Sequence, residues 1–332
     1  MSNRDVDRRS FMKIAGSSLG IGVLYQALPM PVLGEQAEMM NWLGKQNGEK
    51  ATPFSFVQLS DAHVGFNGPP DPLGTKAFER AVEMINALPQ APDLVLFTGD
   101  LTHDTEDKDT HAARMKQFRE ISSRMKVGKI MCVPGEHDAG LDGGNLYREF
   151  FEETYYSFDH RGVHFIALDN VSRAKPEVGT EQLAWLKKDI SRFPKTAPIV
   201  VFTHRPLFDL KPEWEWFTSD GDDVMNALAP YENVTVLYGH IHRDHEHEEG
   251  HSHHYAARSL IFGFPDPEKT SGPRKALPFD KEHPFQNLGI RLVQEKGGKP
   301  SANTLTVQDV ELTVREFSGI NGVQQILKSP GL

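Results

Sequence analysis

The chain has 332 residues, of which 38% are hydrophobic and 25% are charged, and its formal net charge is −10. This composition is typical of a globular protein with one large domain. The acidic balance argues against a nucleic-acid partner, because the chain has no excess of Lys and Arg to replace the counterions of a phosphate backbone. A single cysteine, Cys132, excludes an intrachain disulfide and any zinc site built from several Cys ligands.

Residues 1–36 have the order of an export signal. The paired Arg8 and Arg9 precede a Gly-rich apolar stretch over residues 14–28, which is too short for a stable membrane span of about twenty residues. The segment resembles a twin-arginine signal peptide, which implies a periplasmic or otherwise extracytoplasmic location and the twin-arginine translocation machinery as a partner. Membrane contact is then expected only in transit or through an uncleaved signal.

A polar linker over residues 37–52 leads into apolar runs that alternate with segments of helical period. The predicted strands cover residues 54–59, 94–98, 130–133, 155–159, 163–168, 199–203, 234–238, 253–262, 286–294 and 303–316. The predicted helices cover residues 75–88, 110–125, 180–192 and 221–229. This alternation predicts an α/β layered domain over residues 53–320, and the later β-rich segments favour a mixed sandwich over a single doubly wound sheet.

Polar residues follow five of the predicted strands, at or just beyond the point where each strand ends. They are Asp61 and His63, Asp100, the run Glu136-His137-Asp138, His204, and His240 with His242. In open α/β sheets the carboxyl ends of the strands are where ligands bind, so these side chains should converge in one crevice. Carboxylates and imidazoles together suit Mn, Fe or Zn, and the sequence therefore predicts a metal centre at these strand ends.

The blocks Asp-x-His, Gly-Asp, Gly-Glu-His-Asp, a His after a strand and Gly-His-x-His occur in that order over residues 54–245. The series resembles the signature of the calcineurin-like metallophosphoesterase family. The resemblance implies a four-layer α/β/β/α sandwich of two mixed β-sheets flanked by helices. It also implies a phosphoric ester hydrolase that uses two metal ions and a bridging hydroxide to cleave a small-molecule phosphomonoester or phosphodiester.

The resemblance also implies a role for each strand-end residue. One metal ion would be held by Asp61, His63 and His242, and the other by Glu136, His204 and His240, with Asp100 bridging the two. His137 would contact the phosphate or protonate the leaving oxygen, and Asp138 would orient its ring. The family has Asn where this chain has Glu136, so the second ion gains a carboxylate and one negative charge. We expect this change to favour a harder or more highly charged ion, or to make the pair less electrophilic.

Several alternatives stay open at the level of sequence. The rival function is a non-catalytic extracytoplasmic metal-binding protein, and His137 discriminates between this function and phosphoester hydrolysis because a metal store does not need it.

The His-rich segment 245–254 is predicted to be a solvated, charged loop, with metal loading or a place on the substrate rim as alternatives. Trp214, Trp216 and Phe217 fit a substrate wall or a small satellite core equally well. His103 lies near the metals or on the surface. The oligomeric state, the substrate and the signal cleavage site are not indicated.

Overall fold

The computed structural model describes residues 54–295, 305–312, 317–318 and 324–325, so the predicted signal and linker lie outside the described residues. The strands of that part are β1 (Ser55–Leu59), β2 (Leu94–Thr98), β3 (Lys129–Val133), β4 (Tyr156–His160), β5 (Val163–Ala167), β6 (Ile199–Phe202), β7 (Val234–Tyr238), β8 (His245–Glu249), β9 (Ser252–Ala256), β10 (Gly289–Glu295), β11 (Leu305–Glu311), β12 (Phe317–Ser318) and β13 (Gln324–Gln325). The helices are α1 (Lys76–Asn86), α2 (Lys108–Ser122), α3 (Glu136–Ala139), α4 (Asn145–Phe151), α5 (Thr180–Ile190) and α6 (Gly221–Leu228), with a 3₁₀ turn at Pro212–Trp214. Over these ranges, no helix is both long and apolar enough to cross a membrane.

The strands form two mixed sheets and one short pair, β12 with β13. The first sheet has the order β11-β10-β1-β2-β3, in which β1, β2 and β3 are parallel and β10 and β11 run antiparallel. The second sheet has the order β4-β5-β6-β7-β9-β8, with β5, β6, β7 and β9 parallel and antiparallel strands at both edges. The central strands are buried along their whole length, which explains why they appear in the sequence as continuous apolar runs.

Helices cover the outer face of each sheet. In β1, Val57 packs with the helix side chains Phe78 and Phe118, whereas its neighbour Phe56 points to the opposite face, as the period of two requires. Phe56 meets Phe165 of the second sheet with ring centroids 5.6 Å apart. Helices α5 and α6 form the corresponding core on the far side of the second sheet. The order of layers is α/β/β/α, and the predicted sandwich is confirmed.

The His-rich segment differs from its prediction as a loop. Residues 245–249 and 252–256 form the antiparallel pair β8–β9, in which His247 lies opposite His254. Alternation turns His247 and His254 toward Phe208, with centroids at 4.0 and 5.5 Å, while the charged residues of β8 point outward. Strand β8 was missed because its inward face consists of imidazoles, which a hydropathy pattern scores as polar.

A buried histidine joins the β4–β5 hairpin to helix α5. His164 is 3% exposed, and its two ring nitrogens lie 2.8 Å from Asp159 Oδ1 and 2.7 Å from Asp189 Oδ2. Burial lowers the pKa of His164, but the hydrogen bonds and charges of the two carboxylates outweigh burial and raise it. This imidazole is a structural cross-link between a strand and a helix.

Candidate metal centre

The ends of the parallel strands bring all the predicted ligands together. Asp61 and His63 follow β1, Asp100 follows β2, Glu136 begins α3 after β3, His204 follows β6, and His240 and His242 follow β7. They form two groups, Asp61-His63-Asp100-His242 and Asp100-Glu136-His204-His240, and within each group the ligand atoms lie within 4.8 Å of one another. Asp100 belongs to both groups. The geometry therefore places one carboxylate between two sets of donors.

Backbone carbonyl groups determine which nitrogen of three imidazoles carries the proton. His204 Nδ1 lies 2.7 Å from the oxygen of Thr98, His242 Nδ1 lies 2.8 Å from that of Phe262, and His240 Nε2 lies 3.2 Å from that of Glu215. A carbonyl oxygen can only accept a hydrogen bond, so in each ring the nitrogen beside it is the N–H donor. The other nitrogen of each ring then presents its lone pair to the centre of the site.

Those lone pairs face carboxylate oxygens at close range. His204 Nε2 lies 2.8 Å from Glu136 Oε2 and 3.4 Å from Asp100 Oδ2, and His240 Nδ1 lies 2.9 Å from Glu136 Oε1. Glu136 Oε2 and His204 Nε2 are both buried, and neither has a hydrogen-bond partner in the part of the chain that the structure describes. Lone pairs that converge in this way need a cation between them, and imidazole with carboxylate is the donor set of Mn, Fe or Zn. The residues therefore fit a metal centre, and Glu136 lies among the donors.

Five of the predicted ligands have strained backbone conformations. They have φ values between 40° and 66°, in the left-handed region that residues other than Gly avoid: Asp61, His63, Asp100, His240 and His242. Such conformations cost about 1–3 kcal/mol each and persist where the surrounding structure enforces them, typically at functional sites. Gly99 has a φ of 92°, and a Cβ atom there would lie 2.3 Å from His204 Nδ1. The glycine of the Gly-Asp block is thus required both for its conformation and for space.

His137 lies at the edge of this centre with a partner that sequence reasoning missed. Its Nδ1 atom lies 2.5 Å from Asp104 Oδ1, and its Nε2 atom lies 4.0 Å from Asp100 Oδ2. Burial lowers the pKa of His137, but the charge of Asp100 and the hydrogen bond to Asp104 raise it to about 9. A cation bound beside Asp100 would offset that carboxylate and move the pKa of His137 back down. The only signal for Asp104 in the sequence was an acidic residue in the loop after Asp100.

Asp138 does not have the predicted role. Its carboxylate is buried and accepts hydrogen bonds from the backbone N–H groups of Leu101, Thr102 and Gly135 at 2.8–2.9 Å, and from the Thr102 hydroxyl at 2.8 Å. In the described part of the chain, no hydrogen bond joins it to the His137 ring. Asp138 instead ties the loop after β2 to the start of α3, and Asp104 contacts the imidazole. The neighbouring position in sequence was misleading because α3 turns the two side chains apart.

Aromatic rings line one side of the site. His103 stacks on His137 with centroids 4.8 Å apart, so it lies beside the predicted ligands rather than on the open surface. Phe262 is half-buried, and its ring centroid lies 4.8 Å from that of His242. Trp214 and Trp216 are buried in a satellite core with Tyr238, which confirms the core alternative for the two tryptophans over the substrate wall.

Comparison with known proteins gives a consistent result. The family model "Calcineurin-like phosphoesterase" matches residues 54–244. A probable glycerophosphodiester phosphodiesterase of Arcobacter nitrofigilis is 29% identical over 56% of this chain and 71% of its own length. A 3',5'-cyclic-nucleotide phosphodiesterase of Nostoc is 20% identical over 68% of this chain and 85% of its own length. A crystal structure of a dimetal phosphatase from Danio rerio covers 78% of this chain and 98% of its own, with a TM-score of 0.51 and 14% identity, which shows a shared fold alone.

Proposed function

Because the chain belongs to the calcineurin-like phosphoesterase family, we propose that it hydrolyses a phosphomonoester or phosphodiester of a small molecule with a centre of two metal ions. The observation that carries the proposal is the position of Asp100, which lies in both donor groups. One carboxylate shared in this way is the arrangement that a metal pair requires. Fe, Mn and Zn all suit these donors.

The chain's own residues prepare the site for such a reaction. Bound ions would supply positive charge to the phosphoryl oxygens and activate a water molecule. The carbonyl groups beside His204, His240 and His242 orient the rings before any ion arrives. The backbone N–H of His137 donates to Asp100 Oδ1 at 3.0 Å and fixes that carboxylate. Local positive charge also lets a protein with a net charge of −10 accept an anionic substrate.

His137 is the proposed acid of the reaction. Asp104 accepts the Nδ1–H hydrogen bond and leaves Nε2 directed toward the Asp100 side of the site. From there the ring can donate a proton to the leaving oxygen of the ester. The side chain is 28% exposed, which leaves it within reach of a bound substrate.

The substrate is best sought with a panel. Protein stripped with a chelator and reloaded with Mn, Fe or Zn should turn over at least one member of a set of alkyl and aryl phosphomonoesters and phosphodiesters. The matched control is His137→Ala, which should bind the same amount of metal and lose turnover. Tight metal binding without hydrolysis of any ester, in the parent protein as in the variant, would favour the alternative of a non-catalytic extracytoplasmic metal-binding protein.

The proposed place of action is outside the cytoplasm. Its support is the paired Arg8 and Arg9 ahead of a short apolar stretch, in the order of a twin-arginine signal. The single cysteine agrees with a protein that folds before export and needs no disulfide framework.

A further inference from the structure

We propose that Arg205 is a positioning residue that holds the carboxylate of Glu136 in the donor group that it forms with Asp100, His204 and His240. The inference rests on the proposed function only in that the centre binds metal ions. It concerns the position at which this chain departs from the family signature, Glu in place of Asn.

Arg205 is buried next to the site. It directly follows the ligand His204 and is 8% exposed. Its Nη2 atom lies 3.4 Å from Glu136 Oε1, and its Nη1 atom donates a hydrogen bond to the carbonyl oxygen of Glu215 at 2.8 Å. Its Nε atom is buried and has no hydrogen-bond partner among the described residues. A guanidinium in this position therefore has Glu136 as its charged partner.

The carbonyl of Glu215 links the guanidinium to a ligand. The same oxygen lies 3.2 Å from His240 Nε2, so one backbone group orients both the imidazole and Arg205. Glu215 has a φ of 61° and follows the 3₁₀ turn, between the buried Trp214 and Trp216. The satellite aromatic core holds this strained residue so that its carbonyl points at the site.

The two oxygens of Glu136 have separate partners. Oε2 lies 2.8 Å from His204 Nε2, while Oε1 faces both His240 Nδ1 at 2.9 Å and Arg205 Nη2 at 3.4 Å. An Asn at position 136 would present a neutral oxygen and leave a buried guanidinium unpaired, which is costly. A Glu without the arginine would lose the contact that holds Oε1 in place. The carboxylate and the guanidinium carry opposite charges, so the two residues form a charge-matched pair.

A double-mutant cycle on metal affinity tests the pairing. Arg205→Gln and Glu136→Gln are made singly and together, and Mn²⁺ binding to the metal-free proteins is measured by competition with a chromogenic chelator. In the parent background, Arg205→Gln should weaken Mn²⁺ binding at the donor group that contains Glu136 about 10- to 100-fold, as loss of a residue that supports a metal ligand does. In the Glu136→Gln background, the same change should alter affinity by less than about threefold, because no carboxylate remains to be held.

Two outcomes would overturn the proposal. Equal weakening in both backgrounds would make Arg205 a general structural residue, and tighter Mn²⁺ binding in the parent background would mean that it only repels the cation. Circular dichroism of the metal-free variants checks the fold. The measured quantity is Mn²⁺ affinity and not turnover, so the two proposals can fail separately. If the effects of the two substitutions on affinity are additive in a protein that hydrolyses esters, the pairing of Arg205 with Glu136 is refuted and the proposed function is not. If the effects are strongly coupled in a protein that hydrolyses no ester, the proposed function is refuted and the pairing is not.

A second pair of variants addresses the carbonyl group and avoids a change of charge at Arg205. Glu215→Gly keeps the positive φ, whereas Glu215→Val disfavours it because a β-branched side chain clashes in the left-handed region. The valine variant should lose Mn²⁺ affinity as Arg205→Gln does, and the glycine variant should stay within about threefold of the parent. Equal affinity in these two variants would contradict a positioning role for the Glu215 carbonyl.

Discussion

The Nδ1 atom of His137 lies 2.5 Å from Oδ1 of Asp104, a residue of the loop that follows Asp100. This contact fixes the ring so that Nε2 is the atom available to a substrate. His137→Ala should keep its metal and lose about 10²- to 10⁴-fold in rate, and Asp104→Asn should lose less, about tenfold. The His137→Ala loss should be larger for an alkyl ester than for a p-nitrophenyl ester, whose leaving group needs no proton. Equal losses on both esters, measured as kcat, would contradict an acid role.

The shared position of Asp100 leads to a prediction about metal content. Asp100→Ala should remove both ions, because this carboxylate lies in both donor groups described above, whereas His63 lies in the group with Asp61 and His242 and not in the group with Glu136. Elemental analysis after dialysis should therefore find about one ion left in the His63 variant and almost none in the Asp100 variant. Equal residual metal in the two variants would show that Asp100 does not bridge.

The buried pair of His164 and Asp189 predicts how stability depends on pH. Because the pKa of His164 is raised in the folded state, its contribution is complete below about pH 6.5 and is lost as the pH rises through the folded pKa. Burial raises the pKa of Asp189, but the hydrogen bond from His164 and the positive charge of that imidazole outweigh burial and lower the pKa. Its contribution is present above about pH 3.9 and is lost as the pH falls through the folded pKa.

His164→Gln should therefore lower the urea midpoint more at pH 6 than at pH 9. The loss should stay below the roughly 3–5 kcal/mol typical of a broken buried pair, because Arg192 and Ser157 remain bonded to Asp189. His283→Gln is the matched control, since that imidazole is 68% exposed. A shift of the midpoint that is the same at both pH values would argue against a charged His164.

The proposed export depends on the paired arginines Arg8 and Arg9. Replacing Arg8 and Arg9 by Lys should retain the protein in the cytoplasm, because a guanidinium and an ammonium are not interchangeable in recognition. Cell fractionation followed by immunoblotting measures the change, and replacement of Lys13 by Arg serves as a control outside the pair. Unchanged export of the Lys-Lys variant would contradict a twin-arginine signal.

The sequence predicted the sandwich and the residues of the centre because both depend on local patterns. Central strands buried on both faces appear as apolar runs, and a polar residue of the site follows each of five such runs at the carboxyl end of the strand. Asp104 was missed because its contact with His137 crosses 33 positions from an irregular loop. The sequence could not indicate the role of the Glu215 carbonyl, because every residue has a backbone carbonyl group and only the folded chain determines where that group points. Strand β8 was missed because its inward face consists of imidazoles.

In the proposed function, metal bound at these residues produces phosphoester hydrolysis. The most direct test is a titration of metal-free protein with Mn²⁺, in which bound metal and turnover of p-nitrophenyl phosphate and bis(p-nitrophenyl) phosphate are followed in the same samples, with Asp100→Ala in parallel. Turnover should be absent without metal, rise as about two ions bind per chain, and stay absent in the Asp100 variant. Hydrolysis that persists in metal-free protein, or in Asp100→Ala at the parent's rate, would contradict metal-dependent catalysis at this centre.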